Sequence, residues 1–251
     1  KGVTVTTTDL NYPSVIHYRN QSRHVTVDNC HIFTKRSESA SANQDIRLIN
    51  QYAKNVANCN NDFPTIKNCL IEGGYIGVVI QGTSFVKLPK QKGGLVENNT
   101  FRDQGSKAFY SSSRERDLTL KGNVIENTTA TKSGFYGVDV ETSENFIFEG
   151  NSVFLATAEN ATAVNIRGIE GTQEKPGIIT NNEISVVCPS ATSAGIKLSS
   201  ASSNVNIANN TVLMSGTKNN SAFGVALWLN NTTTNVTIVN NILVNTEGGY
   251  V

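Results

Sequence analysis

The stretch Val138-Asp139-Val140-Glu141 sets two carboxylates on alternate residues of an extended segment. Both therefore project from one face, about 6–7 Å apart at their Cα atoms. Arg167 and Lys197 follow in later segments of the same form. Two chemistries use such a set. β-Elimination on a uronic-acid polymer needs a cation to neutralise the sugar carboxylate and a base to take the α-proton, roles that Arg and Lys can fill. In that scheme Asp139 and Glu141 also offer oxygens to Ca²⁺, the one cofactor the residues suggest. Glycoside hydrolysis would instead use the carboxylates as an acid and base pair. The plain alternative is a set of opposite charges facing each other across neighbouring strands in solvent, a common ladder pairing without chemistry.

The elements that carry these residues are repeats. A phrase of the form apolar–x–apolar–x–[Asn/Gly]–[Asn/Cys]–x–apolar recurs as VTVDNCHI from 25, TIKNCLI from 65, LVENNTF from 95 and LTLKGNVI from 118. It returns as FIFEGNSV from 146, IITNNEI from 178, VNIANNTV from 205 and VTIVNNIL from 236. Its second turn position is Cys30, Cys69, Asn99, Asn123, Asn151, Asn182, Asn210 and Asn241, a period averaging about 30 residues. A second phrase interleaves with it, a small residue followed by apolar–x–apolar. Examples are Gly77-Val78-Val79-Ile80, Gly137-Val138-Asp139-Val140, Ala163-Val164-Asn165-Ile166, Gly195-Ile196-Lys197-Leu198 and Gly224-Val225-Ala226-Leu227. Weaker copies lie at Ile16-His17-Tyr18, Ile46-Arg47-Leu48 and around Phe109. Both phrases alternate as strands do, and no helical period is present.

One coil of short strands cannot bury its inward side chains, but stacked coils bury them against one another. Parallel strands about 4.8 Å apart make eight coils a rod of roughly 38 Å. An Asn at each turn can point inward, bond the backbone and the Asn of the next coil, and tolerate left-handed backbone. That gives an architectural address to part of the excess of 32 Asn in 251 residues.

Turn motif, period and Asn column resemble the right-handed parallel β-helix proteins of the pectate-lyase-like superfamily, from about Ile16 to Leu243. The resemblance implies an all-β, right-handed parallel β-helix of about eight coils with an Asn ladder between the second and third sheets. It also makes the small–apolar–x–apolar strands the first sheet, whose outer face holds the substrate groove in such proteins. By alternation, that face is expected to carry Arg47, Val79, Gln81, Tyr110, Asp139, Glu141, Asn165, Arg167, Lys197, Ser199, Ala226 and Trp228. Asp139, Glu141, Arg167 and Lys197 are the expected acting residues, with Arg47, Gln81, Tyr110, Asn165 and Trp228 as substrate contacts. Trp228 is a platform for a sugar ring, a core residue or a contact for a missing terminal cap. Insertions near 50–64, 82–93 and 168–176 lengthen three coils and are expected to wall the middle of the face.

The segment V-D-V-E-T-S-E-N from 138, with Arg167 one coil on, looks like the metal-and-base region of chondroitinase-B-type and alginate lyases. It departs from them in lacking an Asn ligand one coil earlier and a Lys after the acidic pair. The clustered Asp of polygalacturonase-like sites is also missing. The resemblance thus implies a carbohydrate-active or carbohydrate-binding protein, secreted or on a cell surface, whose partner is a polysaccharide or surface glycan. A non-catalytic adhesin or structural solenoid is the other reading.

Composition supports the exclusions. Twenty-one basic and twenty acidic residues leave a net charge of +1, which argues against nucleic acid held by a basic surface. No apolar run approaches 18 residues, so no membrane-spanning helix is expected. His17, His24 and His31 share no face and have no acidic or Cys partner at metal-ligand spacing. Cys30 and Cys69 fall in the turn column and are expected as buried free thiols. Residues 1–251 are expected to form one β-helix domain that lacks one or both terminal caps, since neither end carries an amphipathic capping helix.

Overall fold

In the computed structural model the described residues are 3–6, 14–37, 47–52, 60–85, 87–112, 114–129, 134–156, 160–187, 193–216, 224–230 and 232–246. They form short parallel strands and no helix, hence no helix long and apolar enough to cross a membrane. Each coil runs through three sheets in turn. The first sheet stacks Ser14–Arg19, Arg47–Tyr52, Ile76–Gln81, Lys107–Ser112, Phe135–Val140, Ala161–Ile166, Ser193–Leu198 and Gly224–Leu229. The second also has eight strands, and the third has nine because Val3–Thr6 adds to Cys30–Phe33. A small fourth sheet of Gln91–Lys92, Glu115–Arg116 and Ser143–Glu144 sits at the corner where the first sheet leads into the second.

The inward residues of all three sheets meet in one core, including Phe101, Phe109, Phe135, Phe146 and Phe148, each at most 1% exposed. Alternation breaks in the first sheet. Ala108 and Phe109 both lie in this core, as do Ala163 and Val164, although they are consecutive. Two successive inward positions crowd the lumen unless one is small. At Gly195 a Cβ would stand 2.3 Å from Val212 Cγ1 and 2.7 Å from the Ala226 carbonyl oxygen, which no side chain survives without movement. The small position of the repeat is therefore a packing requirement.

The turn between the second and third sheets divides two tasks between adjacent residues. The first residue takes left-handed backbone: Asn29, Asn68, Asn98, Gly122, Gly150, Asn181, Asn209 and Asn240 have φ between 53° and 63°. These types bear that conformation at least cost. The second residue points inward and builds the ladder. Asn123 Oδ1 accepts from the Asn99 backbone N–H and side-chain amide, both at 3.0 Å. The Asn123 amide donates to Asn151 Oδ1 at 3.0 Å and to the Val96 carbonyl at 2.9 Å. The pattern runs unbroken from Asn99 through Asn182 and Asn210 to Asn241. Cys69 continues it with a thiol: Sγ accepts from the Cys30 N–H at 3.4 Å and donates to the Val27 carbonyl at 3.7 Å. Cys30 and Cys69 are free thiols, but only Cys69 is buried as expected and Cys30 is half-buried, while Cys59 and Cys188 lie outside the described residues.

Candidate functional site

Strand pairing aligns one outward residue of each middle first-sheet strand into a row. Tyr110 pairs with Asp139, Asp139 with Asn165, Asn165 with Lys197, and Lys197 with Trp228. Across the row, Asp139 is the hub. Its Oδ2 accepts from Lys107 Nζ at 2.5 Å and from an Arg167 terminal nitrogen at 3.1 Å. Its Oδ1 accepts from the Asn165 amide at 2.9 Å and from Arg167 Nε at 3.2 Å. Glu141 Oε1 accepts from the Tyr110 hydroxyl at 2.9 Å and lies 3.1 Å from Arg167. Ser199 Oγ donates to Asn165 Oδ1 at 3.1 Å, extending the network by a coil.

These bonds cover Asp139 almost completely, leaving it 2% exposed on what is geometrically the outside of the solenoid. Burial disfavours the Arg167 guanidinium charge, yet the nearby Asp139 and Glu141 carboxylates outweigh it and raise its pKa. Burial also raises the Tyr110 hydroxyl, helped by its bond to the Glu141 carboxylate. Lys107 Nζ lies 4.0 Å from the Tyr110 ring centroid and 5.6 Å from that of Tyr136. Farther along, Lys197 Nζ stands 4.4 Å over the half-buried Trp228 ring, a favourable cation–π distance.

The face thus brings together Tyr110, Asp139, Glu141, Asn165, Arg167, Lys197 and Trp228. It does not gather every residue expected there. Arg47 is not in the row: it pairs with Ile76, which pairs with Lys107, and Asn50 holds the row position. Gln81 sits at the end of its strand beside Ser112, apart from the bonded cluster. Ala226 is fully buried in the core, because it lies opposite the small position Gly195, between the pairs Ala194–Val225 and Ile196–Leu227, two residues out of the expected register. Trp228 is consequently an outer-face residue and not a core one.

Lys107 and Tyr136 belong to the cluster and escaped the sequence reading. Strict alternation assigns them inward, but the doubled inward step at Ala108 and Gly137 turns the preceding residue outward. The small residue itself was the signal: it marks the break in alternation.

Asp139 and Glu141 do not fit a Ca²⁺ site. Three of the four bonds to Asp139 come from Lys107 and Arg167, and a metal ion would have to displace these cations. Among the described residues no group of three or more His, Cys, Asp or Glu could hold a metal.

The described parts of the insertions run along the corner and over the second sheet. Lys90 bonds Glu170 and lies 3.0 Å from Glu144, while Arg114 donates to the Phe85 and Leu88 carbonyls. Thr172, Gln173 and Pro176 border a polar groove with Asn206 and Thr237 on the outer face of the second sheet. The expected wall around the first sheet is thus a rim along one edge, and residues 53–59 of the first insertion lie outside the described residues.

The solved structure of the Streptococcus pneumoniae surface protein and adhesin PfbA is similar at 13% identity and a TM-score of 0.44. That similarity covers 99% of this chain and 62% of the other, so this chain spans less than two thirds of that protein's length. Comparison with curated proteins finds no match. Residues 90–251, more than half of the chain, match the family described as a right handed beta helix region. With parallel coils, three sheets and an inward Asn ladder already in place, the chain belongs to the right-handed parallel β-helix family.

Proposed function

We propose that this is a carbohydrate-binding β-helix protein, secreted or on a cell surface, that holds a polysaccharide along the outer face of its first sheet. The observation that carries the reading is the row Tyr110–Asp139–Asn165–Lys197–Trp228, one residue per coil over five coils. At about 4.8 Å per coil it spans roughly 19 Å, a repeat comparable to successive sugars in an extended chain. Aromatic rings at Tyr110, Tyr136 and Trp228 offer stacking surface, and the amides and charges between them offer hydrogen bonds. The Asp139–Arg167–Glu141–Lys107 bonds hold those groups fixed, which lowers the ordering cost of binding.

The same bonds favour binding over elimination or hydrolysis. The Asp139 oxygens are already occupied by two cations and an amide, which leaves little room for a substrate proton or hydroxyl to reach them. The cation most available to an acidic sugar is Lys197, which makes no ion pair among the described residues and rests on an aromatic ring.

Calorimetric titration with acidic and neutral polysaccharides tests the reading. Binding should weaken at least tenfold in Trp228→Ala and Lys197→Ala without loss of thermal stability. Absence of binding to every polymer would remove the proposal. Release of unsaturated, ultraviolet-absorbing products from uronic-acid polymers, abolished by Arg167→Ala, would replace it with a lyase.

A further inference from the structure

Where the first sheet leads into the second, the lumen carries polar side chains in place of aliphatic ones. Gln91, Glu115 and Ser143 share one register row of the fourth sheet and are 0%, 1% and 0% exposed. Gln51, fully buried, donates its amide to Gln91 Oε1, and the Asn61 N–H donates to the same oxygen at 3.3 Å. Tyr18 stacks on Gln51 one coil earlier. Neither Glu115 oxygen makes a hydrogen bond of good geometry, and Gln51 Oε1, Ser143 Oγ and the Tyr18 hydroxyl are likewise buried without a partner.

No cation compensates this carboxyl among the described residues. The titratable groups that face it are Tyr18 from the first sheet and Asp62 from the segment before the second. Asp62 opposes a negative charge on Glu115, and the Glu115 charge would in turn disfavour a tyrosinate. Lys92, Arg116 and Glu144 each follow a row residue by one position, so they project outward, where Glu144 lies 3.4 Å from Arg116 and 3.0 Å from Lys90. Burial raises the Glu115 carboxyl well above the ordinary range, and the nearby Gly82 N–H and Gln91 amide offset only part of that.

An ionised carboxylate here would be an uncompensated buried charge, whereas the neutral acid supplies an O–H donor to a chamber rich in acceptors. We propose that Glu115 is folded in as a neutral carboxylic acid, its proton acting as a structural ligand of this corner, and that ionisation loosens the fourth sheet. The described residues of the segments 82–90 and 168–176 leave the solenoid at this corner, tied to it through Lys90, Glu144 and Glu170. Ionisation is therefore felt first by the rim beside the sugar-facing row.

Above the unfolded carboxyl pKa of about 4.3 the unfolded chain releases the proton that the folded chain keeps, so stability falls as pH rises, until the folded pKa is passed. Urea unfolding between about pH 5 and 9 should show an unfolding constant that grows about tenfold per pH unit more steeply in the wild type than in Glu115→Gln. Glu115→Gln should also be the more stable protein at the alkaline end. Parallel pH profiles would overturn the proposal. So would stabilisation of the wild type by Na⁺ or K⁺ over an equal concentration of choline, lost in Glu115→Gln, because that marks an ionised, cation-bound carboxylate. Should Glu115→Gln fail to fold, infrared spectra of the wild type decide: a protonated-carboxyl band retained at neutral pH is expected, and its absence refutes the idea.

Discussion

Lys107 Nζ lies 2.5 Å from Asp139 Oδ2, joining two successive coils through the outer face of the first sheet. Asp139 also holds Arg167 and Asn165, so the two ends of this bond are not equivalent. Lys107→Met leaves Asp139 with two partners and keeps an apolar stem over Tyr110, and should cost about 1 kcal/mol. Asp139→Ala strips Lys107 and Arg167 of their shared counter-charge. Both cations keep some solvent, which places the loss near about 3 kcal/mol, at the low end for a buried pair. Chemical denaturation of the two variants checks the order, and equal losses would contradict it.

The adjacent turn residues Asn98 and Asn99 should respond oppositely to glycine. Asn98 supplies left-handed backbone at φ 54°, so Asn98→Gly should stay within about 0.5 kcal/mol of wild type. Asn99 gives both its amide and its carbonyl to buried partners. Asn99→Gly therefore leaves several orphaned groups and should cost about 3 kcal/mol. Thermal or urea unfolding would show a large gap between the two variants, and a small one would refute the division of labour.

Overpacking is predicted at the small position. Gly195→Val places its Cβ against Val212 and the Ala226 carbonyl, and should destabilise by about 3 kcal/mol or prevent folding. Ser199→Ala, on the outer face of the same coil, should cost under about 1 kcal/mol. Comparing soluble yield and melting temperature separates them.

Cys69 should be chemically quiet. Burial pushes its thiol up to about 11, and it is 2% exposed. Iodoacetamide labelling of the native protein near pH 8, mapped by mass spectrometry, should modify Cys69 at least about tenfold more slowly than in urea. Equal rates in both states would show that the thiol is not held in the ladder.

The coil period was legible because the turn needs particular chemistry at fixed offsets: Asn or Gly for left-handed backbone, then a short amide for the ladder. Asp139, Asn165, Arg167 and Lys197 were legible because they follow a recognisable small–apolar start. Arg47 and Ala226 were misplaced because their strands lack that anchor or repeat it two residues apart, and a shift of register moves a residue along the face or into the core. Lys107 and Tyr136 required knowing that alternation fails once per coil. Glu115 gave no signal, since Arg114-Glu115-Arg116-Asp117 reads as a solvated charge run. Its burial comes from the fourth sheet, whose two-residue strands are too short to leave a pattern.

Every amide in the inward column points the same way. From Asn99 to Asn210, each donates to the carbonyl oxygen of the Asn one coil further on, and none donates backward to another Asn. The column is therefore a vector: turning one amide over would set its oxygen against the next oxygen and its hydrogens against those of the amide behind it.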